Sequence, residues 1–506
     1  MKLSDLLQSI EVLESINEID HLAVNGVSYH SQKVSEGDIF VCIKGYKTDG
    51  HKYLLNAVGN GAKVAVVEEF QKEIDIPQYR VENSRIALAQ LGATIYNHPS
   101  SKLNMIGITA TNGKTTTSYM TNAILENQGL KTGLIGTVNI KIGEMAIPSE
   151  LTTPESLDLQ YYLKQMVDQD ITHVSMEVSS AALETHRVES VNYDIVTFNN
   201  ISREHIDSHG TFEQYFEAKS RLIRHASPTS LAVLNLDDEY SASLVDQTQA
   251  QVITFGVKSK QGHIHCKNLD LSSGRGKFTV EILKPFKANG IEFSPSEFDV
   301  QLNVPGLHSV YNSMVAITVA LLSGVSIGTI QETLKTFAGV ERRFEFIFED
   351  DIKIIDDHFA NPGNINVTLE TLKFMDFEQL HLVYAIRGER GPTVNRENAE
   401  AIAEWASKLN VKEITATKSV SHVTEKDKVT DEEANVFMEV MSKANIKVHL
   451  YDELPEATSY ALDHAKDGDL VLLAGCQGMD HGAKVTINQL IERKPELLNS
   501  KLTPIR

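Results

Sequence analysis

The stretch Asn104-Met105-Ile106-Gly107-Ile108-Thr109-Ala110-Thr111-Asn112-Gly113-Lys114-Thr115-Thr116 governs how this chain reads. Its first half is an apolar run of strand length, and its second half is a short loop holding Gly113. A long helical pattern follows over Thr115–Gln128. A strand that turns through glycine into a helix presents backbone N–H groups and the positive helix end to an anion. Lys114 adds a point charge suited to the outer phosphates of a nucleotide, and the Thr115 hydroxyl is placed to ligate Mg2+. The strict phosphate-loop pattern asks for a further glycine upstream, which is missing here. An ordinary loop with a surface lysine is the alternative, and the strand–loop–helix setting favours the phosphate.

The same rhythm continues on both sides. Downstream, THVSMEVSS, YDIVTFNNI and SLAVLNLD are further apolar strands with helical segments between them, which implies a parallel sheet covered on both faces. Upstream, GDIFVCI (Gly37–Ile43), a helical pattern at Tyr53–Gly59 and AKVAVVEEF (Ala62–Phe70) make a small α/β unit. The polar, proline-containing segment Tyr96–Asn104 closes it as a linker. A strand-rich stretch over residues 250–305 and an Ala- and Val-rich helix at Val310–Leu322 lead to a boundary near Phe337–Phe346. Beyond it come DIKIID, a helix, LHLVYAI, a helix from Asn395, VKEITAT, another helix and GDLVLLAG. The charges of DKVTDEEANVF read as a solvated helix face. The expected fold is α/β in three domains, 1–100, 101–337 and 338–506. They read as a small N-terminal α/β domain, a central P-loop parallel-sheet domain and a C-terminal Rossmann-like, doubly wound domain.

Composition narrows the function classes. With 506 residues, 42% hydrophobic and 23% charged, the chain is neither disordered nor fibrous, and no apolar run is long enough for a membrane span. The N-terminus is acidic and lacks the basic-then-apolar order of a secretory signal, so the expected location is the cytoplasm. Cys42, Cys266 and Cys476 form no pattern and read as free thiols. Against 47 basic residues stand 68 acidic ones, a net charge of −21 that speaks against nucleic acid and anionic membrane as partners. An anionic ligand then depends on a local cationic or N–H-rich site. Glu177, ending THVSMEV, stands where a parallel sheet presents ligands, and its carboxylate is a hard oxygen donor for Mg2+. A helix cap or a salt-bridged glutamate is the alternative there.

The loop Thr109–Thr116 resembles the T-G-T-N-G-K-T signature of the Mur ligases, ATP-dependent amide-bond formers of peptidoglycan synthesis, with Ala110 at a usual glycine. The resemblance implies that Thr111, Asn112, Gly113, Lys114, Thr115 and Thr116 bind ATP, joined by Asn312 on the adenine side and by Arg343. It makes Thr115, Glu177 and His205, the last within Asn199–Thr211, the Mg2+ group. Lys219 matches a lysine that the family carbamylates; with Lys114, Glu177 and His205 it completes the implied catalytic set. Thr152 and Thr153 match a loop that touches the muramoyl dipeptide, Ser179 and Arg187 match positions holding its carboxylate or phosphate groups, and Ser31 matches a contact to the uridine diphosphate.

The implied activity is ligation of an amino acid to the D-glutamate of UDP-N-acetylmuramoyl-L-alanyl-D-glutamate through an acyl phosphate, by a monomer. The amine is L-lysine or another diamino or amino acid. The last third departs from the family: ATKSVSH occupies the region of the D-N-P-R motif found in diaminopimelate-adding members. Gly475-Cys476-Gln477-Gly478 stands in place of G-K-G-H. Arg387 and Arg390 read either as carboxylate ligands for the amino acid or as surface ion-pair formers. Two other functions remain beside the leading one: a related ligase of a different acid and amine, and a nucleotide-binding regulator that has lost ligation.

Overall fold

Six parallel strands that are almost wholly buried set the frame of the sheet that carries the Lys114 loop. The computed structural model describes residues 1–19, 22–45, 48–202, 210–340, 342 and 344–495. The chain divides into two units: Met1–Ile264 with Lys284–Ser294 and Val315–Thr329, and His265–Leu283 with Pro295–Met314 and Ile330–Arg506.

Among the described residues, the first unit carries two large sheets beside a two-stranded hairpin, Phe286–Ala288 with Ile291–Phe293. The smaller runs Glu14–Ile16, Gln78–Arg80, Val64–Val67, Ile39–Val41, Val27–Ser28 in spatial order, antiparallel at its first pair and parallel elsewhere. In the larger, the strands Gln251–Gly256, Leu231–Asn235, Ile195–Phe198, Asn104–Thr109, His173–Glu177 and Thr132–Ile135 lie side by side and parallel. The antiparallel hairpin Asn139–Ile142 and Met145–Pro148 extends it. Helices on both faces remove the polar alternation of a half-exposed strand, so Leu231–Asn235 and Ile195–Phe198 are buried at every position. Leu163, Met166, Val174, Met176, Phe198 and Tyr215 contribute to the core. The strand order reverses direction around Asn104–Thr109, and the crevice beyond the carboxyl ends at such a point is where ligands bind.

In the second unit the strand order is Glu345–Glu349, Lys353–Asp357, Leu470–Ala474, Leu380–Ala385, Glu413–Thr417, Lys447–Tyr451. The first pair is antiparallel and the others parallel. Ile355, Leu369, Tyr384, Ile402 and Phe437 belong to its core. Arg275–Ile282 and Ser296–Pro305 form an antiparallel pair in this unit. The three α/β sheets agree with the expected architecture.

Two local readings need correction. The helix expected from Asn395 starts at Gly391, with Pro392 in its first turn, where a missing N–H costs nothing. The charge run is only partly solvated. Thr430 and Glu433 form a capping box for the helix Asp431–Lys443, yet Glu433 is 1% exposed and accepts the N–H groups of Arg390 and Gly391. Cys42, Cys266 and Cys476 are buried, and no disulfide joins any of them among the described residues. No helix among the described residues is long and apolar enough to cross a membrane.

Candidate active site

The strand Asn104–Thr109 ends where Gly113, at φ +89°, turns the chain into the helix Lys114–Asn127. That left-handed conformation is cheap only for glycine. The loop is fixed from the neighbouring strand end. Thr111 N donates to Asn200 O at 2.9 Å, Asn112 N to Asn200 Oδ1 at 3.0 Å, and Asn200 Nδ2 returns to Asn112 O at 3.0 Å. Lys114 Nζ folds over the loop and donates to Ala110 O at 2.9 Å and Thr111 O at 3.1 Å. Thr111 turns its hydroxyl toward Tyr215 OH at 3.1 Å and accepts Ser202 N at 3.0 Å. Its side chain therefore braces the loop. Thr116, half-buried, lies in the first turn of the helix.

Glu177 is fully buried at the end of its strand, in register with Ile108. Three donors converge on its carboxylate: Thr115 Oγ1 at 3.0 Å, Thr137 N at 2.9 Å and Thr137 Oγ1 at 3.0 Å. A Cβ on Gly136 would sit 2.3 Å from Glu177 Oε1, so the backbone closes against the carboxylate where a side chain would intrude. Burial first, then the charge of Glu177, pushes the Tyr119 phenol up to about 12. A buried carboxylate between two threonine hydroxyls is an all-oxygen donor set, which fits Mg2+ in chemistry. Thr137 escaped the sequence reading, because a threonine two residues past a strand forms no motif; its one signal is its place at a parallel strand's carboxyl end. His205, expected in the metal group, lies outside the described residues, and among those described no cluster of three His, Cys, Asp or Glu side chains forms.

Lys219 is 1% exposed on the helix Phe212–Arg224. Its Nζ donates to Ala110 O at 2.7 Å and lies 5.1 Å from the centre of the Tyr215 ring. Both lysines thus reach the same carbonyl. The solvated lysine that the helix pattern alone would suggest is absent.

Thr153, fully buried, donates through Oγ1 to Glu177 O at 2.9 Å and accepts Ser179 N at 3.1 Å. Thr152 shares a hydrogen bond with Thr137 at 3.1 Å. Ser179 caps the helix Ser180–Glu184 by accepting Ala182 N. Arg187 Nη1 donates to Thr153 O at 3.1 Å, and its Nη2 pairs with Glu155 at 3.0 Å. Thr152, Thr153, Ser179 and Arg187 therefore meet at the end of the Glu177 strand. Ser31 is apart from them, buried in the three-residue helix Ser31–Lys33, with Asn60 Nδ2 on its carbonyl at 2.9 Å. Asn235, Asp237 and Asp238 spend their side chains on backbone: Asn199 O, the amides of Val257, Lys258 and Ser259, and the amides of Ile201 and Ser241.

In the second unit, Asn312 is buried on the helix Leu307–Leu322, and Arg343 lies outside the described residues. Arg387 donates to Ala360 O, and Arg390, 40% exposed, stands 3.8 Å from Asp427. The buried Asp356 is pushed up to about 7 by desolvation, which the guanidinium of Arg342, 3.5 Å away, only partly offsets.

Residues 23–97 match the Mur ligase family catalytic domain, 108–320 the Mur ligase middle domain and 342–477 the Mur ligase glutamate ligase domain. The chain is 35% identical over 482 residues to a UDP-N-acetylmuramoyl-L-alanyl-D-glutamate–2,6-diaminopimelate ligase of Caldanaerobacter subterraneus, covering 94% of each chain. A protein of the same name from Clostridium botulinum is 34% identical, again with 94% of each covered. Among solved structures, a ligase of that name superposes with a TM-score of 0.71 at 22% identity, over 98% of this chain and 100% of the other. A MurF ligase of Thermotoga maritima in complex with ADP gives 0.62 at 20%, over 94% and 100%. With three successive domain matches and relatives this similar over nearly their whole length, the chain belongs to the Mur ligase family.

Proposed function

We propose that this chain joins an amino acid to the D-glutamate of UDP-N-acetylmuramoyl-L-alanyl-D-glutamate at the expense of ATP, in peptidoglycan synthesis. The observation that carries the reading is the buried Glu177 carboxylate with Thr115 and Thr137 on it, beside a loop whose Ala110 carbonyl takes both Lys114 and Lys219.

A carboxylate is a poor electrophile, and transfer of the γ-phosphoryl to it makes an acyl phosphate that an amine can attack. ADP leaves in the first step and phosphate in the second. Phosphoryl transfer asks the protein for positioning and for charge stabilisation. Lys114 and the loop amides would supply the charge around the transferring group. Mg2+, held by Thr115 and Glu177 with His205, would neutralise the polyphosphate. Ser179, Thr152, Thr153 and Arg187 would orient the acid. In the same reading residues 1–100 take the uridine diphosphate through Ser31, residues 101–337 the nucleotide, and residues 338–506 the amine. Lys219 is carried as its carbamate, which 13C NMR under labelled CO2 detects.

The relatives carry diaminopimelate in their names, whereas Thr417-Lys418-Ser419 fills this chain's strand end and Lys418 pairs with Asp452 at 3.2 Å. The assay therefore offers the muramoyl dipeptide with meso-diaminopimelate, L-lysine and other amines in parallel. Phosphate release should require both acid and amine, and Lys114→Ala should abolish it. Release with unrelated acids, or none with any pair, would remove the proposal.

A further inference from the structure

Two helices of the first unit pack against each other. The helix Ser84–Ile95 is capped by Asn83, whose Oδ1 accepts Arg85 N at 2.9 Å, and the helix Ser156–Asp168 starts after Glu155. Gly92 lets them pack closely: a Cβ there would lie 3.3 Å from Leu157 Cδ1. Arg85, in the first turn of Ser84–Ile95, carries Nη1 to 3.5 Å from Oε2 of Glu155, while Arg187 Nη2 stands 3.0 Å from Glu155 Oε1. All three side chains are 15–20% exposed. Two guanidinium groups thus share one carboxylate, Arg85 on Oε2 and Arg187 on Oε1. Arg187 Nε is also buried, with no hydrogen-bond partner among the described residues.

We propose that Arg85 is a positioning residue for the acid substrate: by holding Oε2 of Glu155 it fixes the carboxylate whose Oε1 aims Arg187 beside Thr153 and Ser179. This rests on the reading that Arg187 holds an anionic group of the acid. Without Arg85, the Glu155 carboxylate is held from one side alone and can turn, and Arg187 loses the aim that presents it to that group. With lysine at 85 the charge remains though the fork is lost.

The test measures kcat and KM for UDP-N-acetylmuramoyl-L-alanyl-D-glutamate and for ATP, with melting temperature, in Arg85→Ala, Arg85→Lys and Arg187→Ala. Arg85→Ala should raise the acid KM by roughly tenfold and leave the ATP KM within about twofold, with Arg85→Lys recovering most of the loss. Binding of UDP-N-acetylglucosamine, which has the diphosphate without the peptide carboxylates, locates the anion: weakening there in Arg85→Ala assigns a phosphate, and weakening confined to the dipeptide assigns a carboxylate. If Arg187→Ala raises the acid KM and Arg85→Ala does not, the role of Arg85 is overturned and the reading of Arg187 stands. If Arg187→Ala leaves the acid KM unchanged, that reading itself fails. Equal changes in both KM values together with a lowered melting temperature would reduce Arg85 to a structural clamp and overturn the proposal.

Discussion

Glu177 shows how much a single residue disclosed and how much it withheld. Its place at the end of THVSMEV marks a ligand position in a parallel sheet. Its donors Thr115 and Thr137 lie 62 and 40 residues away, a proximity that only the strand order creates. Gly136 is the sharper test of the arrangement. Gly136→Ala would force the carboxylate off its donors, since the new methyl would meet Oε1 at 2.3 Å. A displacement of that kind at a reacting centre costs roughly a hundredfold in turnover. Phosphate-release assays should show that loss with the far-UV circular dichroism spectrum unchanged. Full activity in the variant would remove Glu177 from the mechanism. Lys219 was legible only through family resemblance, because a helix pattern cannot tell a buried lysine from a solvated one.

At the scale of elements, long apolar runs were legible and half-buried ones were not. DIKIID, LHLVYAI and GDLVLLAG all appear as strands, with Lys353–Asp357, Leu380–Ala385 and Leu470–Ala474 as their cores. The strand Lys447–Tyr451 and the following helix Leu454–His464 were missed. That strand is exposed or half-buried at every position and carries Lys447 and His449, so it shows no continuous apolar signal. The helix bearing Lys219 illustrates a signal that is chemically specific: Thr211 accepts Gln214 N and Gln214 reaches back, a complete capping box. Thr211→Ala should cost about 1 kcal/mol of stability by urea denaturation, and Thr211→Ser should cost much less. An unchanged midpoint in the alanine variant would mean that the cap is spent elsewhere.

For the whole molecule, the stability of the fold carries the mark of Asp356. Its folded value of about 7 lies above the unfolded value of about 3.9. Below the unfolded value both states are protonated and the group costs nothing. As pH rises from 4 toward 7 the unfolded chain ionises first, and stability falls by about 1.4 kcal/mol per pH unit from this group. Asp356→Asn removes the titration, so over that window wild type should lose ground to the variant in denaturant titrations; a pH-independent difference would contradict the assignment. The path of the chain has a consequence for biogenesis. It leaves the first unit after Ile264, returns at Lys284 and again at Val315, and is done with it only at Thr329. A ribosome must therefore translate well past the middle of the message before the nascent amino-terminal body owns all its pieces, and no single protease nick frees either body intact.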